Sequence, residues 1–127
     1  MSLVEVKTSE LIGPALDWAV AKAEGLNLPP YPGRGGKQCL INVSPASWTV
    51  FEPSTDWSQG GPLIERLAGF QLKIWLESSP ETKCEAHIHS YEGDWIAFGP
   101  TPLIAAMRCL CVVKLGDTVQ VPEELVL

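Results

Sequence analysis

The chain has 127 residues, of which 46% are hydrophobic, a length and composition that suit one domain with its own core. Fifteen acids against nine scattered bases give a formal net charge of −6, which excludes a broad nucleic-acid-binding face. No stretch carries the roughly 18 apolar residues of a membrane span, and the first residues lack the pattern of a secretory signal. We therefore expect a cytoplasmic protein, a single domain over residues 1–127, with its four cysteines reduced.

The first half of the chain predicts a strand, a helix and a long irregular segment, in that order. Alternation of apolar and polar residues indicates a short strand at 4–7. Helical spacing of apolar residues indicates a helix at 14–24, with Gly25 just past its end and Asp17 turned to solvent. Residues 26–55 are rich in proline and glycine and form the least regular part of the domain. Within them we expect two short strands, at 39–43 and 47–51.

The middle of the chain predicts an interrupted helix followed by three strands. Asp56 and Gln59 have the spacing of a helix-capping box. The Gly-Gly-Pro run that follows is expected to interrupt the helix and to restart it at Pro62. Alternating segments then predict an antiparallel meander of three strands, at 70–77, 84–90 and 94–98.

The last helix has the clearest boundaries, because Thr101 suits its cap, Pro102 its first position and Gly116 its end. Residues 102–115 are apolar nearly all round, so we expect this helix to be enclosed. An edge strand is expected after it, at 117–121. Together the elements predict an α+β fold, a small mixed or antiparallel sheet with about three helices packed mainly on one face.

Three blocks of the sequence resemble the phage NinX-like family. They are TSELIGPALDWAVA at 8–21, PSTDWSQGGPLIE at 53–65, and TPLIAAMRC at 101–109 with LGDTVQVP at 115–122. The resemblance implies a phage or prophage origin and action inside the bacterial host. It supplies no catalytic residues.

Charged and aromatic residues close to the glycine-rich helix starts form a candidate ligand site. Its members are Asp56, Trp57, Glu65, Trp95 and Arg108. A guanidinium keeps its charge, so a buried Arg108 must meet a carboxylate of the fold or an anion from outside. We favour an internal ion pair with Asp56 or Glu65, and we interpret Asp56 and Trp57 as a helix cap and a core tryptophan that could also hold a polar ligand.

A metal site is the alternative. Strand alternation places Glu85, His87 and His89 on one face, and imidazole and carboxylate groups are ligands of transition metals. No second motif supplies a fourth ligand, so we predict neither a metal nor another cofactor. The Cys109–Cys111 pair points to nearly opposite faces of the last helix, which favours small buried side chains over metal ligands.

These observations favour a non-enzymatic binding module for a small ligand or a host protein. A small metal-dependent or hydrolytic enzyme that uses Glu85, His87 and His89 is one alternative, and a protein–protein adaptor without a pocket is another. Five tryptophans are many for this size. Trp75 falls on the second face of the predicted sheet, which a helix or a partner chain would cover, and this is consistent with a homodimer.

Overall fold

The computed structural model of the chain describes residues 2–29, 38–44, 47–76 and 79–126. In this part of the chain the α-helices are α1 (Gly13–Ala23), α2 (Trp57–Glu65) and α3 (Pro102–Leu115). The strands are β1 (Leu3–Lys7), β2 (Leu40–Ser44), β3 (Ser47–Val50), β4 (Phe70–Ile74), β5 (Cys84–Ser90), β6 (Gly93–Gly99) and β7 (Thr118–Pro122). Short 3₁₀ turns occupy Thr8–Glu10, Pro80–Thr82 and Glu123–Leu125.

The described strands form three separate antiparallel sheets. β1 pairs with β7, β2 pairs with β3, and β4, β5 and β6 form the predicted meander in that order. Its first strand ends at Ile74, short of the predicted end at residue 77, which lies outside the described residues. The predicted α+β class is therefore confirmed, with antiparallel pairing throughout.

α3 is the central element of the fold. One side of it packs on β5 and β6, where Ala105 and Cys109 join Ala86 and Ala97 in a buried group that we call the sheet–α3 cluster. Its other side packs on α1, with Met107, Leu110 and Cys111 in the larger core. This double contact explains why the helix is apolar nearly all round, and the prediction that it is enclosed is confirmed. None of the helices described is long and apolar enough to cross a membrane.

The ends of α1 and α3 follow the local rules that predicted them. Thr101 Oγ1 accepts a hydrogen bond from Ile104 N at 3.2 Å and so caps the start of α3. Gly116 follows its last residue with φ at 92°, and Gly25 lies just past α1 with φ at 71°, backbone angles that favour glycine.

The predicted interruption of α2 is wrong. The helix runs without a break from Trp57 to Glu65 and contains Pro62, which costs it one hydrogen bond. Packing on α3 maintains the helix, since a Cβ on Gly60 would lie 2.4 Å from Pro53 O and 2.8 Å from a methyl group of Leu103. Tertiary contact thus decides the conformation of this Gly-Gly-Pro run.

The irregular segment 26–55 contains the two strands that were expected in it. β2 and β3 form a hairpin in which Leu40 lies opposite Val50, and Phe51 N donates to Cys39 O at 2.8 Å. Residues 30–37 and 45–46 of the segment lie outside the described residues.

Candidate functional site

Arg108 is buried on α3 and bonds to main-chain carbonyls. Its Nε donates to Leu11 O at 2.7 Å, and its Nη1 donates to Phe98 O at 2.8 Å. The predicted ion pair with Asp56 or Glu65 is not formed, because the guanidinium points toward β6 and the turn after β1 instead. Burial lowers the pKa of Arg108 from its ordinary value, and the negative charge of Glu10 acts in the opposite direction.

Two adjoining cavities lie along α3 beside Arg108. The first has a volume of about 450 Å³ and is lined by Ser9, Glu10, Glu81, Thr82, Ile96, Ala97, Phe98 and Arg108. The second has a volume of about 270 Å³ and is lined by Lys7, Ser9, Ile96, Val112, Asp117 and Thr118. Because they share Ser9 and Ile96, we treat them as one feature, the α3 groove. Its floor carries Arg108 and Val112, one helical turn apart.

The walls of the α3 groove differ in chemistry. One wall is β6, whose side chains of Ile96 and Phe98 are 51% and 41% exposed. The opposite wall is the segment from β1 through the first 3₁₀ turn, together with the start of β7. The exposed charged side chains of this wall are Glu10, Asp117 and Lys7. A further acid, Glu81, lies at one end of the groove. The groove therefore combines a half-exposed apolar strand with an acidic rim.

The five predicted site residues do not line one cavity. Asp56 caps α2, accepting from Ser58 N at 2.9 Å and Ser58 Oγ at 2.7 Å, so its capping role is confirmed. The full capping box is not formed, because Gln59 Oε1 accepts from Glu52 N instead of Asp56 N. Trp57 is 56% exposed rather than a core residue, because the first turn of α2 directs it away from the core. It lines a separate cavity of about 230 Å³ beside the start of α3. Glu65 lies exposed at the end of α2, and Trp95 packs against the sheet–α3 cluster. Of the five residues, Arg108 is the one that lines the α3 groove.

The predicted face of Glu85, His87 and His89 exists, but its contacts differ from those of a metal site. Asp94 Oδ1 lies 3.3 Å from His87 Nε2 and also contacts His89 Nδ1. Hydrogen bonding to His89 is the largest cause that lowers the pKa of Asp94. Glu85 instead accepts from Trp75 Nε1 at 3.3 Å. Among the residues described, no group of three or more His, Cys, Asp or Glu side chains could hold a metal ion.

Asp94 and Ile96 were missed by sequence reasoning, although the hairpin register contained the signal. A two-residue turn between β5 and β6 places Asp94 opposite His89 and Ile96 opposite His87. Counting back from that turn would have located both on the outer face of the sheet.

Asp17 of α1, which was expected to face solvent, does not lie as predicted. Asp17 is buried and accepts from Ser54 N at 2.9 Å, and desolvation raises its pKa to about 6. Glu24, which follows α1, joins the helices by accepting from Arg66 at 2.7 Å and from Lys114 at 2.8 Å. A polar side chain on an otherwise apolar helical face was the available signal for Asp17.

The four cysteines are free and buried. Cys109 lies in the sheet–α3 cluster and Cys111 in the larger core, so their predicted opposite orientation is confirmed. Burial raises the pKa of Cys109 to about 11 and those of Cys39 and Cys111 to about 12. The thiols of Cys39, Cys109 and Cys111 are therefore protonated at neutral pH, and all four cysteines serve as core side chains.

Comparison with known proteins gives one family. A family model described as "Bacteriophage P22, NinX" matches residues 7–114, a range that extends from the end of β1 into the last turn of α3 and so includes Arg108 and β6. The search of curated proteins found no match.

Proposed function

Because the chain belongs to the bacteriophage P22 NinX family, we propose that it is a phage accessory protein that acts by binding a host protein in the bacterial cytoplasm, with the α3 groove as its binding site. The observation that carries the proposal is Arg108. It is a buried guanidinium at the floor of an open cavity of about 450 Å³, held by two carbonyls and by no described carboxylate within ion-pair distance.

The groove has the composition of a protein interface. Arginine and aromatic side chains are enriched where proteins meet, and the most important ones lie near the centre of the contact. Here Phe98 is half-exposed beside the buried Arg108, and Ile96 extends the apolar surface toward the second cavity. Polar groups surround this surface on the opposite wall, as they do at the rim of an interface.

A protein fits the groove better than a small molecule does. Pockets for small ligands enclose most of the ligand surface. The α3 groove instead extends over two adjoining cavities, and its most apolar wall faces solvent with Ile96 51% exposed. A segment of a larger partner could follow this length and cover both apolar side chains.

A small carboxylate-bearing ligand is a second candidate, and one observation favours it. Nη2 of Arg108 donates to no atom of the described residues, so one edge of the guanidinium is available to an anion. Glu10 and Glu81 line the same cavity and oppose a second negative charge there.

Affinity capture from a bacterial lysate tests the proposed function. The bait is the full chain, compared with Phe98→Glu in the groove and Val43→Glu on the β2–β3 hairpin, a control residue that is 59% exposed and outside the groove. We expect the wild-type chain and Val43→Glu to recover the same host protein. Phe98→Glu should recover it at least tenfold less, because the apolar contact of Phe98 beside Arg108 is lost.

Equal recovery by all three baits, with unchanged melting of the variants, would reject the groove as the binding site. Thermal shifts against carboxylate-bearing metabolites address the second candidate. A shift that Arg108→Lys abolishes, without any captured protein, would favour the small-ligand function.

A further inference from the structure

We propose that the partner contributes an extended basic segment, which adds a fourth strand to the free edge of β6 in the α3 groove. This inference rests on the proposed function, and it specifies the conformation and charge of the partner. Strand addition is a common mode of peptide recognition, because main-chain hydrogen bonds supply affinity and alternate side chains supply specificity.

The direction of the main-chain groups along β5 follows from two hydrogen bonds at the β4 side. His89 N donates to Gly69 O at 3.0 Å, and Trp75 N donates to Lys83 O at 2.8 Å. In an antiparallel pair the bonded positions alternate, so the odd-numbered residues of β5 bond to β4 and the even-numbered ones to β6.

The same alternation fixes which groups of β6 point away from the sheet. The odd-numbered residues of β6 pair with the even-numbered residues of β5, so their main-chain N–H and C=O groups point toward β5. The main-chain groups of Asp94, Ile96 and Phe98 therefore point to the free edge of β6. Arg108 supports this assignment independently, because its Nη1 reaches Phe98 O at 2.8 Å from outside the sheet. No described strand pairs with this edge.

The free edge faces the α3 groove. Ile96 lines both cavities, and its outward N–H and C=O, at the centre of the strand, bond to no main-chain group of the described residues. At one end of the strand, Arg108 Nη1 donates to Phe98 O and Nε donates to Leu11 O. Nη2 can donate to a third carbonyl, which an added strand would supply. The site is therefore built from main-chain donors and acceptors that match an extended peptide.

The two outer edges of this sheet differ in their protection. Native proteins block edge strands with lysine, proline or bulges, because an unprotected edge pairs with other chains. β4 carries Lys73 within the strand, whereas β6 has the sequence GDWIAFG, with neither lysine nor proline. Its charged residue, Asp94, lies near the start of the strand and contacts His87 and His89. We infer that the edge of β6 is left open for a partner.

Charge selects the kind of segment. Among the described residues, the exposed charged side chains around the groove are the acids Glu10, Glu81 and Asp117 and the base Lys7. Arg108 on the floor already donates to two carbonyls, and the whole chain carries a formal charge of −6. A segment that alternates basic and apolar residues would place its apolar side chains beside Ile96 and Phe98. Its basic side chains would then neutralise the rim.

Binding of a fixed probe to the full chain tests the inference. The probe is an acetylated and amidated peptide of alternating lysine and valine, KVKVKVK, and its charge-reversed control is EVEVEVE. We expect the basic peptide to bind at least tenfold more tightly than the acidic one. In amide hydrogen exchange followed by NMR, the basic peptide should slow exchange at Ile96 at least tenfold.

Proline substitution separates main-chain pairing from side-chain contact. Ile96→Pro removes an outward N–H that the sheet does not use, and we expect it to weaken peptide binding at least tenfold. Leu72→Pro is the matched control, because it removes an outward N–H on the free edge of β4 and should leave binding unchanged. If Ile96→Pro does not fold, the exchange measurement on the wild-type chain decides alone.

Several outcomes would overturn strand addition. These are equal binding by a folded Ile96→Pro variant, protection that leaves β6 unchanged, and equal affinity for both peptides. Protection of Ile96 by a second copy of this chain, seen as a dimer in sedimentation without peptide, would assign the edge to self-association. If Ile96→Pro still captures the host protein and Phe98→Glu does not, strand addition fails and the proposed function stands. If both variants capture it, both proposals fail.

Discussion

At Arg108, one planar side chain joins three parts of the fold that are distant in sequence. The guanidinium rises from α3 and donates to Leu11 O and Phe98 O through two different nitrogens. Lysine carries the same charge without the planar arrangement of donors, so its ammonium cannot make both bonds in this geometry. Main-chain carbonyls, rather than a carboxylate, satisfy the buried charge.

We therefore predict that Arg108→Lys lowers the free energy of unfolding by about 1–3 kcal/mol, since hydrogen bonds to charged groups contribute on that scale. Arg66→Lys is the control, because the Arg66 side chain is 66% exposed and lysine keeps the positive charge beside Glu24. Its expected cost is below about 0.5 kcal/mol. Urea denaturation of both variants measures the difference, and equal costs would contradict the role given to Arg108.

Asp17 gives a prediction about pH. Its folded pKa of about 6 lies above the ordinary value of 3.8, so the folded state holds the proton more tightly than the unfolded state does. The contribution of protonated Asp17 to the free energy of unfolding is fully present below pH 3.8 and is lost as the pH rises through about 6. Asp17→Asn keeps an acceptor for Ser54 N and removes the buried charge.

Asp17→Asn should therefore stabilise the chain by about 1–3 kcal/mol at pH 8, and much less at pH 4. Chemical denaturation at the two pH values measures this, with the partly exposed helix cap Asp56→Asn as control. A variant less stable than the wild-type chain at pH 8 would contradict the assignment.

At the scale of the element, α2 offers two adjacent glycines in different surroundings. A Cβ on Gly60 would meet Pro53 O at 2.4 Å, whereas a Cβ on Gly61 meets nothing within 4 Å. Gly60→Ala should cost about 2 kcal/mol or more, because the backbone must move. Gly61→Ala should stabilise the helix by about 0.5–1 kcal/mol. Thermal melting of the pair measures both, and an equal response would remove the packing argument for α2.

The elements differ in how well their own residues determine them. α3 was predicted with its cap, its end and its burial, because Thr101, Pro102 and Gly116 carry local signals that tertiary structure left unchanged. α2 was not, because the contact of Gly60 with Leu103 is a long-range one that no local rule contains. The division of the strands into three sheets was not predicted either, because it depends on pairing between distant segments such as β1 and β7.

The candidate site, like α2, could be predicted from the sequence only in part, because long-range contacts determine the rest. The apolar pattern of α3 predicted that Arg108 is buried. Because a guanidinium cannot lose its charge, the sequence also indicated that Arg108 needs hydrogen-bond or ion-pair partners. Its partners were not predictable, because Leu11 and Phe98 contribute main-chain oxygens that any residue could supply. The groove wall at Ile96 required the register of the hairpin and the position of β1, which are properties of the fold.

At the scale of the whole molecule, α3 lies between the sheet and α1, and the two core clusters on its sides enclose the thiols. We predict that Ellman's reagent modifies none of the four cysteines in the native chain within the time that it needs for all four in denaturant. Burial and a raised pKa both suppress the thiolate at Cys39, Cys109 and Cys111. Rapid native modification would contradict the closed packing around α3.

Amide hydrogen exchange over the whole chain, with and without the host protein that the wild-type bait captures, shows most directly where that protein binds. Binding in the α3 groove predicts protection in β6 and in the turn Thr8–Glu10, and little change in the β2–β3 hairpin. Protection confined to that hairpin or to α2, with β6 unchanged, would show that the α3 groove is not the binding site.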